Sequence, residues 1–211
     1  KKVRSGDTLD VPIVRERIHF PDIEYAGMLD DTTGYILQSG FTEGVAQQLK
    51  DKVISLKGKG MKRLVLDLRG NGGGLMSEAV NIISLFVPKG SLAVSSKGKT
   101  AGSSHEYYTQ TEPIDLDTPI IVMIDGGSAS ASEIVSGGLQ DLKRATIVGK
   151  TSYGKGLVQS IRPLPYNGQM KVTTAKYYTP SGRCVQGVGV KPDVEIDVPS
   201  YSRLVYSLVL G

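Results

Sequence analysis

Two residues in this chain have the type and setting for acyl chemistry. Ser130 lies in a run of small residues, Gly126-Gly127-Ser128-Ala129-Ser130-Ala131-Ser132-Glu133, and Lys155 follows 25 positions later between Gly154 and Gly156. Alternating small residues at a strand-to-helix junction present a hydroxyl at a helix start, and flanking glycines let a lysine approach it closely. A serine hydroxyl becomes a useful nucleophile only when a base removes its proton. Histidine is the usual base, and the chain has only His19 and His105. His19, between Ile18 and Phe20, reads as a packed or surface residue, and His105 falls in a stretch rich in Ser, Gly and Lys. Lys155 is then the leading base. It can act only when neutral, so its pKa must fall from about 10.4 to roughly 7–8, a cost of about 4 kcal/mol. Apolar walls would achieve this, and Tyr153, Leu157 and Val158 are close in sequence.

The surrounding residues carry plainer readings beside the chemical ones. Ser130-Ala131-Ser132-Glu133 is also a capping box, which serves folding alone. The tight Gly126-Gly127 approach goes beyond what a cap requires. Gln159, in a strand, faces approximately the same side as Lys155 and is placed to orient its amine; as a lone feature it reads as an exposed strand residue. Asp141, near the end of the helix after Ser130, reads more readily as a helix-end surface residue than as a buried anion. The loop Gly70-Asn71-Gly72-Gly73-Gly74 resembles a phosphate cradle, but the dinucleotide fingerprint fails at Leu75 and Ser77. Gly149-Lys150-Thr151 likewise lacks its earlier glycine, which falls on Arg144. The glycine loop can instead supply an oxyanion amide, with Ala131 as the partner donor.

The elements that must hold these residues follow from periodicity. Val3 to Ile18 alternates as a strand, with a turn at Ser5-Gly6-Asp7, and Ile23–Leu29 and Tyr35–Gln38 form a hairpin-like opening. Val45, Leu49, Val53 and Leu56 mark one helix face, with Thr42 as N-cap and Gly58 and Gly60 as the stop. The strand Leu64–Leu66 runs into the glycine loop, and a helix Met76–Phe86 follows. Residues 96–119 are rich in Ser, Gly, Thr and Lys and read as a mobile excursion carrying Tyr107 and Tyr108. The strand Ile120–Ile124 leads into the serine run and a helix from Ser130 to about Leu142; Thr146–Gly149, Leu157–Arg162 and Met170–Ala175 are further strands. The predicted class is α/β with antiparallel additions.

Composition removes several function classes. Hydrophobic residues make up 39% and charged residues 22% of the 211, near the globular average, so global disorder is excluded. The net charge of +4 is scattered, with no concentrated basic face or interleaved aromatics for nucleic acid. The single cysteine, Cys184, forms no intramolecular disulfide and reads as an ordinary small residue; with two histidines no metal-ligand spacing arises, and no metal or other cofactor is expected. No apolar run reaches the roughly 18 residues of a membrane span.

Taken together, Asp67-Leu68-Arg69-Gly70-Asn71-Gly72-Gly73-Gly74, Gly127 to Glu133, Leu139-Gln140-Asp141, Gly154-Lys155-Gly156 with Gln159, and Gly187-Val188-Gly189-Val190-Lys191-Pro192-Asp193 resemble, in order, the landmarks of the carboxyl-terminal processing peptidases, or tail-specific proteases, of family S41. The resemblance implies an α/β core related to the ClpP/crotonase spiral. It implies a Ser/Lys endopeptidase with Ser130 as nucleophile, Lys155 as general base, Gln159 orienting the lysine, and Gly73 and Ala131 as oxyanion donors, with Gly72 and Gly74 as alternatives to Gly73. Its substrates would be unfolded proteins or C-terminal tails, bound as an added strand, in a bacterial periplasm or cell envelope. A homo-oligomer and an adaptor or envelope protein stay open as partners. Family members usually carry a PDZ domain ahead of the core; here residues 1–18 resemble its last strand and linker, 19–198 the catalytic core, and 199–211 the start of a C-terminal extension. Two other readings stand beside the peptidase: a crotonase-like acyl-CoA enzyme on the same fold, and a peptide-binding module without turnover.

Overall fold

The computed structural model describes residues 2–4, 7–9, 21–99 and 101–197. His19, most of the expected strand from Val3 to Ile18, and the expected C-terminal extension lie outside the described residues. Within that first segment β1 (Lys2–Arg4) and β2 (Asp7–Leu9) pair antiparallel.

The rest follows in the order β3 (Ile23–Met28), β4 (Thr33–Gln38), α1 (Val45–Gly58), β5 (Arg63–Asp67), α2 (Met76–Ser84), β6 (Leu92–Gly98), a 3-10 turn at Ala101–Ser103, β7 (His105–Tyr108), β8 (Ile120–Ile124), α3 (Ala131–Asp141), β9 (Ala145–Gly149), β10 (Leu157–Pro163), β11 (Gln169–Tyr178) and β12 (Val194–Glu195). Six strands form one sheet in the order β12-β9-β8-β5-β4-β3, parallel throughout except for the antiparallel edge β3. From β4 through β5 and β8 to β9, every crossover steps the same way. Right-handed crossovers stepping in one direction put their helices on one face and wind the chain into a spiral. α1 packs on α2 and α2 on α3 accordingly. Leu49, Val53, Leu64, Leu66, Ile82, Ile83, Val122, Ile124, Val135 and Leu139 fill the space between helices and sheet.

A second sheet, β10-β11-β6-β7, is antiparallel and meets α2 and α3 through β6. This corrects the expectation of a mobile excursion over 96–119. β6 runs into this stretch as far as Gly98 and β7 lies within it; on β6, Ala93, Val94 and Ser96 are buried, and a Cβ on Gly138 of α3 would lie 3.4 Å from Ala93 O. Small polar side chains that tolerate burial have the composition of a loop. The cap of α1 also differs: Gly44, at φ 86°, holds the N-cap position, while Thr42 turns away to bind the buried Asp22 through its N–H (2.9 Å) and its hydroxyl. α2 ends earlier than expected, tightening through Leu85 and Phe86 into i→i−3 bonds.

Asp115, on the β7–β8 connection, ties the ends of α1 and α3 to that connection. Its carboxylate takes Lys57 Nζ at 2.6 Å and the N–H groups of Asp117 and Thr118 at 3.0 and 2.8 Å, with Arg144 Nη2 3.8 Å away. Burial raises its pKa, but the bonds from Lys57, Thr118 and Asp117 outweigh it and the net shift is downward. A carboxylate with a depressed folded pKa contributes stability above its unfolded value near 4, and that stability is lost as pH falls below it. Asp115→Asn is expected to lower stability at neutral pH by about 2 kcal/mol and to flatten the loss of stability below pH 4. Thermal melts between pH 2.5 and 7 read both effects; an unchanged acid limb would remove Asp115 from it.

Candidate active site

Three successive parallel strands end side by side, and each feeds one part of the site. β5 runs into the glycine loop, β8 into the serine turn, and β9 into the segment carrying Lys155. The carboxyl ends of neighbouring parallel strands are where open α/β sheets gather functional loops. Here the loops are stitched together. Ala129 N–H and Ser132 Oγ both donate to Asn71 O (3.0 and 2.9 Å), Ser128 Oγ donates to Leu68 O (2.8 Å), and Tyr153 N–H donates to Ser128 O (2.9 Å). The glycine loop therefore lies against the serine turn. A Cβ added to Gly73 would stand 2.8 Å from Ser130 Cβ and 2.8 Å from Ala131 N.

Ser130 takes φ 56° and ψ −114°, a conformation that costs a non-glycine residue on the order of 1–3 kcal/mol unless its surroundings fix it. Both of its backbone polar atoms are fixed. Its N–H donates to Glu133 Oε2 at 2.8 Å, and its carbonyl accepts from Glu133 N–H, Ile134 N–H and the Tyr177 hydroxyl. The Glu133 half of the expected capping box, Ser130 N–H on Glu133 Oε2, is present at the start of α3, while Glu133 N–H goes to the Ser130 carbonyl and the Ser130 hydroxyl donates to no described residue. Ala131 N–H also has no described partner and sits one residue beyond Ser130.

Glu133 is more than a cap. Its carboxylate is fully buried and collects four donors: Ser130 N–H (2.8 Å) and Lys155 N–H (2.9 Å) on Oε2, and Ser152 Oγ (2.5 Å) and Gly154 N–H (2.7 Å) on Oε1. The Tyr177 hydroxyl lies 2.6 Å from Lys155 O, 3.0 Å from Ser130 O and 3.4 Å from Glu133 Oε2. Its one hydrogen is thus shared chiefly between the carbonyls of the two candidate catalytic residues. Burial, reinforced by the Glu133 charge, raises the Tyr177 pKa and keeps this donor protonated. One carboxylate and one phenol hold the main chains of Ser130 and Lys155 together.

The remaining sequence-derived residues fall as follows. The Lys155 side chain is exposed rather than enclosed: Tyr153 is exposed, Leu157 and Val158 are half-buried, and Lys155 Nζ makes no hydrogen bond or ion pair with a described residue. Gln159 does not reach it. A bulge between Val158 and Gln159 breaks the alternation, and the Gln159 amide contacts Thr173 Oγ1 at 3.5 Å across the β10–β11 hairpin. Gly73 N–H donates to Asn71 Oδ1 at 2.9 Å, while Asn71 Nδ2 donates to Gln38 O at 2.8 Å. Asp141 anchors the end of α3: it accepts Ser181 N–H (3.0 Å) and Ser181 Oγ (2.6 Å) and pairs with Arg183. Burial raises its pKa, and the bonds from Ser181 and Thr179 with the Arg183 charge bring it below the usual carboxylate range. His105 is exposed on β7, its ring edge-on to Tyr107.

Sequence reasoning passed over Glu133, Tyr177 and Asn71 as parts of the site. For Glu133 a signal existed. It is the one charged residue in the wholly buried run 131–139 of α3, where a carboxylate must find donors.

Comparison with known proteins agrees with this architecture. The profile of peptidase family S41 matches residues 32–196. A carboxy-terminal-processing protease of Bartonella bacilliformis is 42% identical over 208 residues, covering 96% of this chain and 47% of its own length. A Staphylococcus aureus protein named "Probable CtpA-like serine protease" is 38% identical over 203 residues, covering 95% of this chain and 40% of its own. The chain thus spans less than half the length of either relative. The structure of a photosystem II D1 C-terminal processing protease superposes with a TM-score of 0.72 at 35% identity, over 78% of this chain and 42% of that one. With the spiral core, the glycine loop and the serine turn in the arrangement described above, the chain belongs to peptidase family S41.

Proposed function

We propose that this chain is the catalytic core of a serine endopeptidase acting on unfolded polypeptides or their C-terminal tails. The observation that carries the reading is the joint hold of Glu133 and Tyr177 on Ser130 and Lys155, which fixes two segments 25 residues apart against the glycine loop. The names of its relatives support it.

In this reading Ser130 Oγ attacks the scissile carbonyl carbon while neutral Lys155 takes its proton. The tetrahedral oxyanion is held by Ala131 N–H and Gly73 N–H, the latter shifting from Asn71 Oδ1. The Lys155 ammonium then protonates the departing amine, leaving an ester on Ser130. Water, deprotonated by the same lysine, hydrolyses that ester and restores the hydroxyl. Gln159 orients the amine once Lys155 turns in from solvent.

The test is cleavage of an unfolded protein by the parent chain and by Ser130→Ala and Lys155→Ala. Loss of turnover in both variants is expected, and equal turnover in all three would overturn the assignment.

A further inference from the structure

Two large apolar side chains stand exposed beside the Lys155 segment. Tyr153 is 68% and Val188 71% exposed. Their backbones are neighbours, and both are fixed. Gly187 N–H donates to Gly154 O at 2.9 Å, and a Cβ on Gly154 would come within 3.1 Å of Val188 N, so these segments touch directly at a glycine with φ 88°. Tyr153 N–H is bonded to Ser128 O, two residues before the nucleophile, and Gly154 N–H is bonded to Glu133. Tyr153 and Val188 therefore belong to adjoining backbone segments pinned to one another and to the segment that carries the lysine. Solvated apolar surface at such a place favours covering by another apolar group.

We propose that Tyr153 and Val188 form an apolar seat for the substrate residue immediately C-terminal to the scissile bond, so that the chain cuts ahead of apolar side chains. The inference rests on the peptidase reading. The side of the bond follows from the chemistry: the lysine that takes the serine proton returns it to the departing amine, so its segment flanks the leaving half of the substrate. The occupant follows from the walls, an exposed aromatic ring and an exposed branched aliphatic group. An apolar residue seated there also draws water away from the Lys155 amine, which otherwise lies in solvent. Substrate and base are then coupled: the side chain that fits the seat also shields the lysine amine from water.

The experiment uses peptides identical except at the residue after the cleaved bond (Leu, Ala, Ser or Asp), with a second series varied before it, and mass spectrometry to locate the cut. For the parent chain, kcat/KM is expected to favour Leu over Ser after the bond by about tenfold or more. In Tyr153→Ser/Val188→Ser that ratio is expected to fall to about twofold or less. An unchanged ratio, or a preference confined to the residue before the bond, overturns the seat and leaves the peptidase reading standing. If the parent cleaves no peptide in a Ser130-dependent way, the peptidase reading fails and the seat falls with it.

Discussion

Glu133→Leu is expected to remove about 4 kcal/mol or more of stability and to lower kcat about 100-fold or more, whereas Glu133→Gln costs about 2 kcal/mol and about tenfold. Leucine branches one carbon earlier than glutamate and accepts nothing, so it strands the N–H groups of Ser130, Gly154 and Lys155 and the Ser152 hydroxyl. Each buried donor left without an acceptor costs about 1–3 kcal/mol. Glutamine keeps one oxygen, and the packing decides where it goes. Turned toward Oε2, it retains Ser130 and Lys155, while its NH2 group faces Ser152 Oγ, which can rotate to accept, and Gly154 N–H, which cannot. Only one donor is then opposed by another, and the Ser130 and Lys155 segments stay joined. The effect on turnover follows from the strained turn, because Ser130 at φ 56° is held by the bonds at its N–H and carbonyl. Urea unfolding gives the stability order parent, Gln, Leu; kcat on an unfolded substrate gives the same order. A leucine variant within about 1 kcal/mol of the parent and equal in kcat would show that the carboxylate positions nothing.

The different legibility of these features in the sequence has physical causes. β5, β8 and α3 announce themselves because apolar periodicity and flanking glycines act locally, and their observed spans match that pattern. The nearness of Gly73 to Ser130 was also foreseeable, since two strand-to-helix junctions on adjacent parallel strands meet at the same sheet end. β6 was hidden. Its Ser95 and Ser96 have loop composition, and only packing beneath α3 makes small residues correct there. Tyr177 was hidden more deeply: its bond to Ser130 O spans 47 residues and depends on how the second sheet docks. The exposure of Lys155 has the same origin. Neighbours in sequence do not become walls when the backbone turns their side chains outward, as it does for Tyr153. Local pattern names the chemistry, and long-range docking decides what surrounds it.

Gly73→Ala should separate the glycine that shapes the site from the one beside it. The added Cβ would stand 2.6 Å from Ala129 O and 2.8 Å from both Ala131 N and Ser130 Cβ, in a backbone with φ 94°. None of these is the far end of a flexible side chain. Two are main-chain atoms of the serine turn, and that turn is pinned by Asn71, Glu133 and Tyr177. The glycine loop must therefore retreat. The left-handed conformation costs alanine about 1–2 kcal/mol, and the retreat adds a similar amount, giving about 2–4 kcal/mol in all. A displacement near 1 Å is enough to cost on the order of 100-fold in kcat, because under the proposed mechanism the Gly73 amide and Ser130 Oγ no longer converge on one carbonyl. Gly72→Ala is the matched control, since its Cβ meets no atom within 4 Å and its φ is not positive. It is expected to change stability by less than about 1 kcal/mol, with the smaller entropy of the unfolded chain working in its favour, and kcat by less than about threefold. Parallel urea titrations and single-turnover assays on the two variants decide the matter. If Gly72→Ala is as damaging as Gly73→Ala, the whole loop rather than the Gly73 contact sets the geometry, and the assignment of Gly73 as the oxyanion donor loses its structural ground.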